Sequence, residues 1–235
     1  MRYAIYFTPE KEDALTQHAE RWLGRSAFTG AMHPPVAVGS FTAAEIAFHT
    51  AAARRYGFHA TLKAPFRLAA GRSESELVSA LSRFAAEREA FTLDGIALAR
   101  LGRFFAIVPA ARSQRLDELA ADAVTQFESF RAPLTPEEVE RRNPERLTPA
   151  QLKNLHKWGY PYVLDEFRFH MTLSGPVPEQ EAERMEAAIS SFFGPLLFAP
   201  LKIASLALFV EPEPGAPFHV RSLHAIGGER ARKIA

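Results

Sequence analysis

The chain of 235 residues contains no cysteine. That absence excludes disulfides, thiolate nucleophiles and cysteine-based zinc sites, and it fits a reducing compartment. Charge of one sign is also lacking: 28 basic residues against 27 acidic ones leave a formal net charge of +1. A dedicated nucleic-acid surface would need a basic field that this balance does not supply. No apolar run approaches the ~18 residues of a membrane span. The opening Met1-Arg-Tyr-Ala-Ile-Tyr-Phe7 is apolar for too short a stretch to be a signal peptide, and Thr8-Pro9-Glu10 breaks it. A cytoplasmic protein with no membrane partner is expected. Gly227-Gly228 is followed by no helix of useful length, so no glycine-rich phosphate loop is read.

What the sequence does have is a repeat. Tyr56-Gly-Phe-His59-Ala-Thr61-Leu62-Lys63-Ala-Pro65-Phe66 returns as Phe167-Arg-Phe-His170-Met-Thr172-Leu173-Ser174-Gly-Pro176-Val177. The offset is 111 residues, and Phe, His, Thr, Leu and Pro keep their places. A second echo, Leu93–Leu98 against Ile203–Leu208, follows at nearly the same offset. The unit is therefore duplicated, with one His-x-Thr in each copy.

Both segments are rich in aromatic and aliphatic residues and close on a proline, which reads as a β-strand in each case. Side chains two apart share a strand face. His59, Thr61 and Lys63 are thus expected on one face, and His170, Thr172 and Ser174 on the corresponding face of the second copy. Two such strands about a pseudo-twofold axis bring two histidines and two threonines into one groove. An imidazole with a pKa near ~6.5 can serve as base or acid at working pH. Threonine hydroxyls can donate to the non-bridging oxygens of a phosphate as charge builds there. Phosphodiester cleavage needs both services.

Paired His-x-Thr motifs in a duplicated chain resemble the 2H phosphoesterase superfamily, which includes 2′-5′ RNA ligase-like proteins and cyclic nucleotide phosphodiesterases. The longer forms quoted above look like a bacterial family associated with phosphonate-utilisation operons, and the likeness runs from Tyr3 to about Ile226. The resemblance implies metal-independent phosphodiester or cyclic-phosphate chemistry, with His59 and His170 catalytic and Thr61 and Thr172 binding phosphate. No cofactor and no metal are implied. The other six histidines (His18, His33, His49, His156, His219 and His224) show no metal-ligand spacing.

Taken in order, Tyr3–Phe7 reads as a strand, and Thr8-Pro9 as the start of a helix ending near Gly24. Capping boxes at Thr42 and Ser73 open helices to about Arg54 and Glu89. Phe91–Ala99 and Arg103–Val108 read as strands, followed by an amphipathic helix through Leu116–Phe130. Residues 132–165 have no counterpart in the other half, and Thr135-Pro and Thr148-Pro mark a helical insertion. After the second motif come a helix from Pro178 to Gly194 and strands at Leu201–Val210 and His219–Ala225.

The expected fold is α+β: two pseudo-symmetric lobes, each an antiparallel sheet with flanking helices, about a central groove. Lobe 1 is placed at about 43–131, and lobe 2 at about 166–227 with the N-terminal strand. Lys63, Tyr56, Lys157, Tyr160 and Ser174 are candidate substrate contacts, by strand face or by nearness to the motifs; Tyr3 and Arg168 are weaker ones. The expected partner is a small phosphorylated substrate, a cyclic phosphate of a sugar or nucleotide. RNA, as substrate of a 2′-5′ ligase or end-processing enzyme, is the alternative, and the neutral balance argues against it. A non-catalytic binder of a phosphorylated ligand is a third reading, disfavoured because binding alone needs neither proton donor nor acceptor. Which histidine is acid and which base stays open at this stage.

Overall fold

A computed structural model describes residues 1–228 and the backbone of residues 231–233. The elements in chain order are β1 (Arg2–Phe7), α1 (Ala14–Leu23), α2 (Ala43–Tyr56), β2 (Ala60–Phe66), α3 (Glu74–Ala86), β3 (Phe91–Leu93), β4 (Ile96–Leu101) and β5 (Phe104–Pro109). They continue with α4 (Gln114–Gln126), α5 (Pro136–Glu140), α6 (Pro149–Trp158), β6 (Met171–Thr172), α7 (Ala182–Phe193), β7 (Leu201–Ile203), β8 (Ser205–Glu211), β9 (His219–Ala225) and β10 (Ala231–Lys233). The class is α+β with antiparallel pairing throughout the described residues.

Eight strands form one sheet in the order β10-β9-β8-β1-β2-β6-β5-β4. The two motif strands are neighbours at its centre, and their ladder is a single pair, Ala60↔Met171. The sheets of the two halves thus meet edge to edge along one narrow seam. The second echo shows the same symmetry: β3 and β7 leave the large sheet and pair with each other, Leu93 opposite Leu201. Each echo strand expected as one piece is therefore two pieces.

The large sheet buries two unequal faces. Tyr3, Ile5 and Phe7 of β1 pack into the main core with Trp22, Leu77, Leu81 and Phe84 from the helices. Ala4 and Tyr6, on the alternate face, join a small cluster with Ala207, Phe209 and Phe218. This division follows from the period-two alternation of a strand. The groove opens on the second, thinly covered face.

Helix starts follow the capping chemistry. Capping boxes close at Thr42, Ser73, Thr135 and Thr148. The first helix is a correction: its N-cap is Asp13, whose carboxylate accepts from the Leu15 N–H at 2.8 Å, while Thr8-Pro9 precedes it in extended chain. An aspartate with a free side chain next to the first apolar turn outcompetes the earlier Thr-Pro.

The larger correction concerns the motif strands. In β1–β2 the register passes from Tyr6↔Thr61 to Ile5↔Lys63, so Leu62 and Lys63 together oppose one residue. In the second motif, the N–H groups of Leu173 and Ser174 both donate to the carbonyl of Phe105, at 2.8 and 3.3 Å. Each is the pattern of a β-bulge, and both fall at the same step of the repeat. The bulge turns Lys63 and Ser174 off the histidine face where simple alternation had put them. Lys63 is buried, and its ammonium donates to the Val124 carbonyl at 2.9 Å and to Glu128 at 3.0 Å. The Ser174 hydroxyl donates to the Gly175 carbonyl and accepts from the Phe105 N–H. The second motif strand is also shorter than its sequence suggests, with only Met171–Thr172 in regular pairing.

Burial lowers the pKa of Lys63, and the facing Glu128 opposes that shift. Removing one partner of such a pair leaves a buried charge uncompensated. Glu128→Ala is expected to cost about 3 kcal/mol in urea unfolding; a variant as stable as wild type would show that the pair does not hold β2 to the turn that follows α4.

Candidate active site

The seam register sets the site. With Ala60 opposite Met171, one step either way brings His59 beside Thr172 and Thr61 beside His170. Directly opposed antiparallel residues hold their Cβ atoms about 5 Å apart, and diagonal neighbours about 7–8 Å. Each histidine is therefore next to the threonine of the other motif, and the two imidazoles lie on a diagonal across the seam.

Both rings are fixed in the same way. His59 Nδ1 hydrogen-bonds the Gly57 carbonyl at 2.9 Å, and His170 Nδ1 the Arg168 carbonyl at 2.7 Å. In each case the acceptor lies two residues upstream. A carbonyl can only accept, so Nδ1 carries the proton and Nε2 is left for chemistry. The Thr61 hydroxyl lies 3.3 Å from His59 Nε2. Gly57, with φ +78°, is required for this turn, because an added Cβ would lie 2.6 Å from the Ala27 Cβ.

The second motif is held from behind. Trp22 Nε1 donates to the Leu173 carbonyl at 2.8 Å, and the Gly175 N–H to the His49 carbonyl at 2.7 Å. Under the first motif, the buried Tyr6 ring stacks on His59, centroids 3.8 Å apart and planes 20° from parallel. Burial raises the Tyr6 phenol well above its ordinary pKa, so it stays neutral. Tyr6 was not among the residues singled out from sequence. Its signal was there: it is the aromatic of the first strand that alternates away from the Tyr3, Ile5 and Phe7 face.

The two histidines differ in electrostatics. Burial pushes His59 down to about 4; its carbonyl bond opposes this, and the charge of His170 adds to it. His170 is also lowered by burial, again opposed by its carbonyl bond. When the pair holds one proton, His170 is the one that keeps it.

The groove has two compartments that share Thr61 and Tyr160 as walls. One, of about 460 Å³, contains His170 with Phe104, Tyr162 and Phe167. The other, of about 260 Å³, contains His59, Thr172, Tyr56, Arg2 and Arg142. Of the candidate substrate contacts, Tyr56 and Tyr160 line this groove. Tyr56 also stacks on Phe218 at 5.2 Å. Ser174 touches the wall of the smaller compartment, but its hydroxyl is spent on backbone. Lys63 is turned into the core, and Lys157 is exposed with its ammonium 4.6 Å from the Trp158 ring centroid, lining neither compartment. Arg168 lines the His170 compartment. Arg142, which no motif flags, lines the other. Among the described residues, no cluster of three or more His, Asp or Glu side chains could hold a metal ion, and no helix is long and apolar enough to cross a membrane.

Against known proteins, residues 61–219 match the model of the family described as "Protein of unknown function (DUF1045)". That span covers most of the chain, and the chain belongs to this family. Two curated relatives carry the name "Ribose 1,5-bisphosphate phosphokinase PhnN". The protein of Janthinobacterium sp. (strain Marseille) is 37% identical over 221 residues, which are 92% of this chain and 49% of that protein. The protein of Laribacter hongkongensis (strain HLHK9) is 36% identical over 222 residues, 94% of this chain and 50% of that protein. The chain thus spans about half the length of the curated relatives it matches. Among solved structures, E. coli LigT complexed with 3′-AMP aligns over 96% of this chain and 97% of that one, with 13% identity and a TM-score of 0.42. The protein TT0787 of Thermus thermophilus aligns over 98% and 100%, with 18% identity and a TM-score of 0.42.

The shift of His59 has a direct readout. In nitrogen-15 spectra of histidine-labelled protein, His59 is expected as the Nδ1–H tautomer, titrating with a midpoint at about 4. A midpoint at the ordinary value near ~6.5 would mean that the ring is neither desolvated nor coupled to His170.

Proposed function

We propose that this chain is a phosphodiesterase that hydrolyses a small cyclic phosphate by two-histidine acid–base catalysis without a metal. The observation that carries this reading is the mirrored site. Two imidazoles tied by Nδ1 to the carbonyl two residues upstream flank one gap, each opposed by the other motif's threonine. A pure binder has no use for two rings prepared in this way.

Water enters on the His59 side, and its oxygen attacks phosphorus as His59 Nε2 takes the proton. The P–O bond to the sugar oxygen breaks on the other side, and that oxygen takes the proton of His170 Nε2. Thr61 and Thr172 donate to the non-bridging oxygens, with bonds that strengthen as negative charge grows. The pKa order supports the assignment, because the ring held down to about 4 is the free base and the ring that keeps the proton is the acid.

The substrate class draws on two further supports. The compartments of about 460 and 260 Å³ suit a small molecule rather than a polymer. The relatives' name points to a ribose phosphate, and the motif resemblance implies phosphonate metabolism as the setting. Their kinase activity is not assigned to this half, since the chain has no Gly-x-x-x-x-Gly-Lys-Ser/Thr loop.

A panel of sugar and nucleoside cyclic phosphates, assayed with EDTA present, tests the proposal. His59→Ala and His170→Ala are each expected to lower kcat by about 10²–10⁴, the usual weight of a positioned acid or base. The profile of kcat/KM against pH should be a bell lying on the acid side of neutrality. It rises as His59 loses its proton at about 4 and falls as His170 loses its own below its usual range. Loss of all turnover in EDTA, or full activity in either variant, would overturn the mechanism.

A further inference from the structure

The helical insertion supplies the groove with a charge that the two-histidine chemistry does not use. α5 is fastened beside the first motif strand: Arg67, next after β2, makes a paired ion bridge to Glu138 at 3.2 and 3.0 Å and donates to the Pro133 carbonyl at 2.8 Å. Arg142 follows Glu138 by one helical turn. Its N–H closes on the Val139 carbonyl at 2.9 Å, and the chain then turns away through Asn143 at φ 47° and Pro144. These restraints hang the Arg142 side chain over the His59 compartment, half-buried, its guanidinium 4.9 Å from the Tyr160 ring centroid.

That guanidinium makes no hydrogen bond or ion pair among the described residues. The wall of the His59 compartment contains no carboxylate, and its other cation, Arg2, is held by the buried Glu211, which it shares with Arg55 from outside the wall. Lys63, the third cation of the region, is paired with Glu128, which also holds Arg131. Of these three cations Arg142 alone has no carboxylate partner among the described residues, and it stands in a partly desolvated wall, where a cation calls for an anionic partner. The diester being cleaved carries one negative charge, which the His170 imidazolium offsets, and the two threonines bring neutral donors. A planar guanidinium braced on an aromatic face is well suited to gripping a phosphate by two parallel hydrogen bonds.

We propose that Arg142 binds a second phosphate group of the substrate, a monoester carried on the same molecule as the cyclic phosphate. The proposal rests on the hydrolytic reading above and specifies its substrate: a phosphorylated sugar with the diester at the seam and the monoester under the insertion. The insertion is then a specificity element rather than a cover.

Two measurements separate this inference from the reading it rests on. The first compares a ribonucleoside 2′,3′-cyclic phosphate with the same compound bearing a 5′-phosphate. Wild type should favour the phosphorylated compound in kcat/KM, mainly through KM. Arg142→Ala should shrink that ratio at least about tenfold, the weight of one lost charge-assisted hydrogen bond. Arg142→Lys should keep part of it, and Arg146→Ala, an exposed arginine of the same insertion, should keep all of it. The second is calorimetric binding of ribose 5-phosphate, which wild type should bind at least about tenfold more tightly than Arg142→Ala. Turnover of either cyclic phosphate with ratio and binding indifferent to Arg142 would overturn the inference and leave the hydrolytic reading standing. Arg142-dependent binding of ribose 5-phosphate with no turnover of any cyclic phosphate would overturn the hydrolytic reading and leave the anion site in place.

Discussion

One backbone pair, Ala60 with Met171, holds the two halves of the sheet in register. Everything chemical in the groove depends on it. A slip of one residue would turn every side chain on that strand to the other face, sending His170 and Thr172 into the core and Met171 into the groove. Because so little ladder is present at the seam, the register must be fixed from outside it. Tyr6 supplies one restraint by stacking on His59; Trp22 and the His49 carbonyl supply others by bonding the second motif just past its threonine. The matched bulges act in the same sense. The first interrupts the ladder after Thr61, and the second ends it after Thr172; Lys63 and Ser174 are driven into contacts that hold each strand from behind.

The duplication makes the site symmetric in backbone and unequal in charge. Both rings use the same Nδ1 bond to the same relative carbonyl, as a repeated motif would dictate. Their surroundings come from parts of the chain that are not repeated. His59 lies against Tyr6 with Phe209 nearby, whereas His170 has Phe104 at 5.8 Å and faces the larger compartment. The deeper ring loses more hydration on becoming charged, and so it is the one kept neutral. In the proposed mechanism, two matching motifs thus divide acid and base duties chiefly through packing.

Much of this was legible in the sequence. The period-two placement of His and Thr gave their shared face, the four capping boxes gave helix starts, and the 111-residue offset gave the duplicated architecture. Lys63 and Ser174 show where that reading stopped. A bulge is one extra residue in a ladder, and neither Leu62-Lys63 nor Leu173-Ser174 carries a glycine to announce it. The α1 start was missed because Thr8-Pro9 and Asp13 both look like caps, and only packing of β1 decides how far the extended chain runs. Arg142 stood out by no motif, since its importance comes from what it lacks, a carboxylate partner, and that is visible only once the walls are assembled. Lys157 is near the second motif only in sequence: across the turn at Gly159, φ +76°, it lies on Trp158 outside both compartments, while Tyr160 lines the groove.

The proposed chemistry requires His59 and His170 to face a single phosphate. Titrating inorganic phosphate into protein labelled with nitrogen-15 at histidine tests it without any assumption about the substrate. With a shared site, the His59 and His170 ring signals move together along one binding curve, and Thr61→Ala or Thr172→Ala weakens that curve for both rings at once. Movement of one ring alone, or two curves with separate midpoints, would contradict a shared site.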